Sequence, residues 1–215
     1  LSEYKNVWVF AEQRQGKIEN SVLELLGIGR KLADSLQESL CAILLGDKVE
    51  PEVEKLISHG ADNVYLVEDF ILKDFQDDTY GKILQDLISE HRPSIFLGSA
   101  TSIGRSLLPK IAVSLQTGLS ADCTELEIDK ITKNLLQTRP AFGGNIMATI
   151  VCENTRPQMA TVRPRVMKKL PIDLSRKGKV IREFFDKNSV SIQTEILNII
   201  EDITSKIKIE DADII

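Results

Sequence analysis

Short apolar runs alternate with amphipathic stretches through the first half of the chain. Asn6–Ala11 (NVWVFA) is rich in β-branched and aromatic residues and predicts a strand. Ser21 followed by Glu24 matches the S-x-x-E capping box. Behind it Val22, Leu25, Leu26, Gly29, Leu32, Ala33 and Leu36 recur at helical spacing. Cys41–Leu45 predicts a second strand, stopped by Gly46. Pro51 in a first turn and Gly60 just past the end bracket a helix whose apolar face is Val53, Leu56 and Ile57. Asn63–Val67 predicts a third strand, and a helix through Tyr80, Ile83, Leu84, Leu87 and Ile88 ends before Pro93. Ser94–Leu97 predicts a fourth strand, and the helix after it buries Leu107, Leu108, Ile111, Ala112 and Leu115. This β-α-β-α-β-α-β-α order implies parallel strands joined by helical crossovers. The expected fold class is α/β, a doubly wound, mostly parallel sheet of the nucleotide-binding kind, with added strands after residue 118.

Beyond Gly118 the texture changes. Ala121–Ile128, Leu135–Thr138, Ile146–Val151 and Gln158–Val162 are separated by turn signals at Asp129–Lys130, Gly143–Asn145 and Asn154–Pro157. That spacing predicts strands with short connections, mostly antiparallel additions to the same sheet. A further strand is expected near Val180–Phe184, then a helical stretch through Ile196, Ile199 and Ile203, and the start of another strand at Asp211–Ile215.

Composition narrows the functional classes. The net charge is −5, and no stretch joins clustered Lys and Arg with aromatics, which argues against nucleic-acid binding. Cys41, Cys123 and Cys152 are scattered, and His59 and His91 are the only histidines, too few ligands for a metal site. An odd set of isolated cysteines suits a reducing compartment. Charged residues interrupt the first twenty positions, no apolar run approaches a transmembrane length, and the expected location is cytoplasmic without membrane insertion. No Ser/His/Asp or Cys/His set assembles, and both histidines fall at predicted helix ends. The acidic pairs Asp77–Asp78 and Glu52–Glu54 sit at helix starts, where the dipole favours them. No complete catalytic site is visible.

Two loops carry candidate chemistry. Gly98–Ser106 leaves a strand and enters a helix, a geometry that favours an anion. It departs from the phosphate-binding G-x-x-x-x-G-K-[ST] loop by one residue in glycine spacing and by Arg105 in place of lysine. The plainer reading is a strand-to-helix turn capped by Ser99, Thr101 or Ser102. In Arg139–Asn145 (RPAFGGN), Arg139 and Asn145 suit a flavin or a phosphate, Phe142 suits a ring, and the glycines permit close backbone approach. The same segment also reads as a glycine-containing turn between strands. Arg156, Arg163, Arg165, Lys168 and Lys169 form a basic stretch, either a phosphate or partner site or a solvated edge.

Val7–Gln13 (VWVFAEQ), Gly98–Pro109 (GSATSIGRSLLP), Thr117–Leu126 (TGLSADCTEL), Arg139–Ala148 (RPAFGGNIMA) and Pro157–Pro164 (PQMATVRP) together resemble the electron-transfer flavoprotein α-subunit family, in that family's order. The resemblance implies a fold related to nucleotide-binding α/β domains, paired pseudo-symmetrically with a similar β subunit. It implies FAD in the complete heterodimer, mainly on a C-terminal domain that opens with a strand and an SGGRG-type segment, and on the β subunit. On that basis residues 1–205 are the α/β domain and 206–215 the start of a truncated FAD-binding domain, whose flavin motifs this sequence lacks. Arg139, Phe142 and Asn145 fall in the family's RP-x-x-x-G-N segment. The resemblance places them near the β subunit's nucleotide, AMP or a second FAD, with Thr101 and Arg105 as further cofactor-binding candidates. It implies electron exchange with an acyl-CoA dehydrogenase-type flavoprotein. The VWVFAEQ opening is similar to flavin-bifurcating members, some of which carry a ferredoxin-like domain upstream of the residue corresponding to Leu1. The rival reading is a stand-alone nucleotide-binding domain using Gly98–Ser106.

Overall fold

The computed structural model describes residues 3–190, 194 and 196–200. Strands β1 (Val7–Phe10), β4 (Leu40–Gly46), β5 (Asn63–Glu68) and β6 (Ile95–Ser99) form where the apolar runs predict them. A small hairpin of β2 (Gln13–Arg14) and β3 (Lys17–Ile18) follows β1. Helices α1 (Asn20–Leu36), α2 (Val53–Ser58), α3 (Asp77–His91) and α4 (Ser102–Ser114) make the crossovers. Alternation along β1 sorts the core. Val7 and Val9 pack with the apolar stripes of α1 and α2 on one face, Trp8 and Phe10 with those of α3 and α4 on the other. A parallel sheet covered in this way needs continuously apolar strands, and every residue of β1, β4 and β6 is buried.

The remaining strands are β7 (Leu119–Cys123), β8 (Glu125–Ile128), β9 (Leu135–Ala141), β10 (Ile146–Val151), β11 (Gln158–Val162) and β12 (Lys179–Arg182). The main sheet has seven strands in the order β12-β5-β4-β1-β6-β11-β7, and every pairing in it is parallel. The expected antiparallel additions to this sheet are therefore corrected. β7, β11 and β12 join it in parallel, whereas β8, β9 and β10 form a separate three-stranded antiparallel sheet. The reason is geometric: β7 and β11 are parallel neighbours, so a crossover of a dozen or more residues must join them. A β-meander supplies it in place of a helix.

Ala121–Ile128 is accordingly two strands rather than one. Cys123 still pairs with Val162 of β11, but the next amide, Thr124, donates to the carbonyl of Thr138 in β9 at 2.9 Å, and the chain changes sheets there. After β11, residues 163–178 cross back over α1 to bring β12 beside β5 at the opposite edge. The Lys168 carbonyl oxygen lies 2.0 Å from where a Cβ on Gly27 would stand, so this crossing depends on a bare α1 surface.

The capping box is also corrected. α1 begins at Asn20 with no side-chain cap. Ser21 Oγ instead accepts from the Ser99 hydroxyl at 2.9 Å, and Glu24 Oε2 accepts the Arg165 N–H at 2.7 Å. Partners distant in sequence have taken the side chains that the local pattern assigned to the helix end. β12 runs from Lys179 to Arg182 rather than Val180–Phe184, and residues 196–200 carry no helix. Ile203, Asp211–Ile215 and the boundary at 205–206 lie outside the described residues.

Candidate functional site

The chain lays down β1, β4 and β5 in one direction and then places β6 on the other side of β1. In an open α/β sheet, the crevice beyond the carboxyl ends at such a reversal is where ligands bind. Here Glu12 follows β1 and Thr101 follows β6, and the Thr101 hydroxyl donates to Glu12 Oε2 at 2.5 Å. Glu12 is 1% exposed. Thr101 Oγ1 also accepts the Gly104 N–H at 3.0 Å and so caps α4. The Ala100 N–H is taken by the Val162 carbonyl at 2.7 Å. Arg105 turns back, its Nε donating to the Ala100 carbonyl at 2.9 Å. Gly104 has no space for a side chain, because a Cβ would stand 1.8 Å from the Ser99 oxygen. The Gly98–Ser106 loop is thus a turn capped by Thr101, its amides at 100 and 104 bonded to protein groups. What remains of the crevice is about 200 Å³, lined by residues including Glu12, Ser21, Glu24, Thr101, Arg165 and Lys169. Burial pushes the Glu24 carboxyl above its ordinary range, partly opposed by the Arg165 amide and the charge of Lys169.

The second candidate loop projects from the antiparallel sheet. Arg139 lies on β9, opposite Ala148 of β10, and Phe142, Gly143 and Gly144 turn the chain between the strands. All three have positive φ, at 48°, 70° and 92°, with open space around both glycines. This turn leaves Phe142 82% exposed, and at the start of β10 Ile146 and Met147 are 54% and 55% exposed. A pocket of about 410 Å³ opens here, lined by Arg139, Pro140, Ala141, Phe142, the two glycines and Arg163. Asn145 is exposed and outside that lining.

A carboxylate organises the arginines. Asp122, near the end of β7, accepts at Oδ2 from Arg163 Nη2 at 2.5 Å and at Oδ1 from Arg163 Nε at 3.2 Å, and Arg105 Nη2 lies 3.5 Å from Oδ1. The Arg163 fork holds the Asp122 carboxyl below its ordinary range, and the charges of Arg105 and Arg139 add to this. Among the described residues the Arg139 guanidinium has no hydrogen bond or ion pair of its own, although it is half-buried. Arg105 is thus linked through Asp122 to Arg163, which lines the pocket with Arg139 and Phe142, whereas Thr101 faces the separate crevice.

The residue-level reading missed Asp122, although an aspartate inside a predicted strand is itself a warning. It left Arg163 in a basic stretch of undecided role. Others in that stretch have protein partners: Arg156 Nη1 donates to the nearby carbonyls of Cys152, Glu153 and Thr155, and Lys169 Nζ to the distant Asn20. His59 Nδ1 lies 2.7 Å from the Lys55 carbonyl, and His91 Nε2 lies 3.0 Å from Glu183. The three cysteines are free. Among the described residues there is no cluster of three metal-ligating side chains, and no helix is long and apolar enough to cross a membrane.

A sequence profile of the electron transfer flavoprotein domain matches residues 7–186. An electron transfer flavoprotein subunit alpha from Thermoanaerobacterium thermosaccharolyticum is 49% identical over 215 residues, all of this chain and 65% of that protein. Its namesake from Megasphaera elsdenii is 45% identical over 215 residues, all of this chain and 64% of that protein. The acryloyl-CoA reductase electron transfer subunit beta of Anaerotignum propionicum is 38% identical over 239 residues, covering all of this chain and 65% of that protein. The chain spans just under two thirds of the length of these curated relatives.

Proposed function

The chain belongs to the electron transfer flavoprotein family, and we propose that within a complete α subunit it is the rigid domain that docks a β subunit. The same domain lays Arg139 and Phe142 beside a nucleotide held there. The observation that carries this reading is the β9–β10 hairpin, which lines one pocket with an exposed phenyl ring and with Arg139, half-buried and without a hydrogen bond or ion pair among the described residues. A lone half-buried arginine costs desolvation unless something satisfies it, and the 82% exposed Phe142 leaves a large apolar ring in water. A phosphate and a planar ring, delivered together by a partner subunit, satisfy both.

These residues suit a nucleotide such as FAD or AMP. Arg139 and Arg163 present donors to phosphate oxygens, Phe142 a face for a ring, and Gly143 and Gly144 let the backbone approach closely. Bound FAD supplies the redox chemistry, and this chain supplies position and electrostatics. Arg105 contributes through Asp122, Thr101 through the cap that fixes α4, and Asn145 from the exposed rim of the hairpin. Most of the flavin contact belongs to residues beyond 205 and to the β subunit. The chain is proposed to work in the cytoplasm, with an acyl-CoA dehydrogenase-type flavoprotein as exchange partner, supported by the likeness to an acryloyl-CoA reductase electron-transfer subunit. Flavin-based bifurcation is a further part of the proposal, resting on the VWVFAEQ opening.

The test is nucleotide affinity in the heterodimer of the full-length chain. Arg139→Gln is expected to weaken FAD or AMP binding by about tenfold to a hundredfold, the range of a charge-assisted hydrogen bond. Unchanged affinity for both sinks the reading.

A further inference from the structure

Strand β7 carries one residue more than its partner. Ser120 pairs with Ala160 and Cys123 with Val162, so three steps on β7 match two on β11. The extra residue is accommodated at Asp122, whose φ of 61° lies in the left-handed region. Its amide is bonded to the buried Thr161 hydroxyl at 2.9 Å, and the Arg163 amide to the Cys123 carbonyl at 3.0 Å, so the irregular backbone is held on both sides. A bulge of this kind re-aims a side chain. Here it turns a carboxylate, which regular alternation would direct elsewhere, onto the forked face of Arg163 at the wall of the Arg139 pocket.

We propose that Asp122 is a positioning residue that fixes Arg163 in the orientation the pocket needs for a phosphate-bearing ligand. This inference rests on the nucleotide reading given above. The bidentate contact occupies Arg163 Nε and one Nη2 hydrogen, leaving its other guanidinium hydrogens for the ligand. Arg105 Nη2 also lies 3.5 Å from Asp122 Oδ1, the oxygen that accepts from Arg163 Nε. The arginine is thereby held by a group that is itself locked in the backbone, so little side-chain freedom is lost when an anion arrives.

Positioning and simple charge make opposite forecasts. Asp122 offsets one positive charge of a cluster of three arginines. If that were its whole effect, neutralising it would tighten anion binding. If it orients Arg163, neutralising it loosens binding. Asp122→Asn separates the two, because asparagine keeps the shape and accepts the left-handed backbone readily.

The heterodimer of the full-length chain, stripped of nucleotide, is titrated with FAD and separately with AMP, and its thermal melt is recorded. Asp122→Asn is expected to weaken binding of the better probe about tenfold, with the melt little changed. Arg163→Lys, which keeps the charge but not the fork, is expected to lose the same factor, and the double variant no more than either single one. Asp122→Asn with equal or tighter binding, while Arg139→Gln still weakens it, overturns the positioning role and leaves the nucleotide reading standing. Additive losses also overturn it. If neither Arg139→Gln nor Asp122→Asn alters binding of either probe, the nucleotide reading itself has failed.

Discussion

Replacing Gly104 by alanine is expected to destabilise the chain, against what helix propensity alone forecasts. Within a helix interior, alanine is favoured over glycine by about 1 kcal/mol. The structure reverses the sign. A Cβ at position 104 would stand 1.8 Å from the Ser99 carbonyl oxygen and 3.0 Å from its carbon. Ordinary carbon–oxygen contacts begin near about 3.3 Å, so α4 and the end of β6 must separate by roughly 1.5 Å. The obstacle is backbone in a fully buried strand, not the end of a flexible side chain. Overpacking of this kind costs about 1–3 kcal/mol. The shift also loosens the Thr101 cap, worth about 1 kcal/mol, which roughly cancels the propensity gain. The net is about 2 kcal/mol, or a fall in Tm of about 4–8 °C for a chain of this size. Thermal unfolding of the purified chain, followed by circular dichroism, measures it directly. An unchanged or raised Tm would refute the close approach of α4 to β6.

Three further outcomes follow from the same kind of argument. Gly27→Ala is expected to lower Tm by several degrees, because its Cβ would meet the Lys168 carbonyl at 2.0 Å; a raised Tm would place the 163–178 crossing elsewhere. Asp62 accepts from Arg30 at 2.6 Å, Arg176 at 2.5 Å and the Leu40 amide at 2.8 Å, and Asp62→Asn is expected to cost about 1–3 kcal/mol at neutral pH in denaturant melts. Burial raises this carboxyl's pKa, but the Arg30 and Leu40 bonds and the two arginine charges outweigh it and the net shift is downward from 3.8. A depressed folded-state pKa gives stability that is complete above the unfolded value and lost as pH falls through the folded one. The gap between wild type and Asp62→Asn must therefore close below pH 3.8, and a gap constant down to pH 2 to 3 would be the wrong sign. Met147→Glu on the exposed face of β10 is expected to leave the melt of the chain unchanged while weakening assembly with the β subunit about thirtyfold, as at an interface hot spot; undiminished co-purification would remove this face from the interface.

Much of the architecture was legible because it is written in periodicity. β1, β4, β5 and β6 each carry a continuous apolar run, and α1 and α3 carry apolar stripes at helical spacing. These signals report burial, and burial decides the doubly wound core. What escaped depends on partners distant in sequence. Nothing local distinguishes Thr124, which bonds to β9, from Cys123, which pairs with β11, so one strand was expected where the chain changes sheets. Ser21 and Glu24 spell a capping box, yet Ser99 and Arg165 compete for their side chains and win. Periodicity also says little about strand direction, and so a meander serving as a parallel crossover looked like added antiparallel strands.

The candidate site divides in the same way. Arg139–Asn145 announced itself through its glycines and its lone arginine, and the turn forms there. That Arg163 is clamped by Asp122, while Arg139 has no hydrogen bond or ion pair among the described residues, follows from a one-residue bulge, which composition cannot reveal. Thr101 was legible as a cap because capping is a local rule. Its second bond, to Glu12 from the loop after β1, was not.

The most direct test of the central claim is the visible absorption spectrum of the 215-residue chain, purified alone from flavin-replete cells and again after mixing with a β subunit and FAD. The account predicts a colourless chain by itself, because it assigns Arg139, Phe142 and Arg163 to one wall of a site that a partner completes. A stoichiometric yellow preparation of the isolated chain would place a whole flavin site within these residues and contradict the docking role.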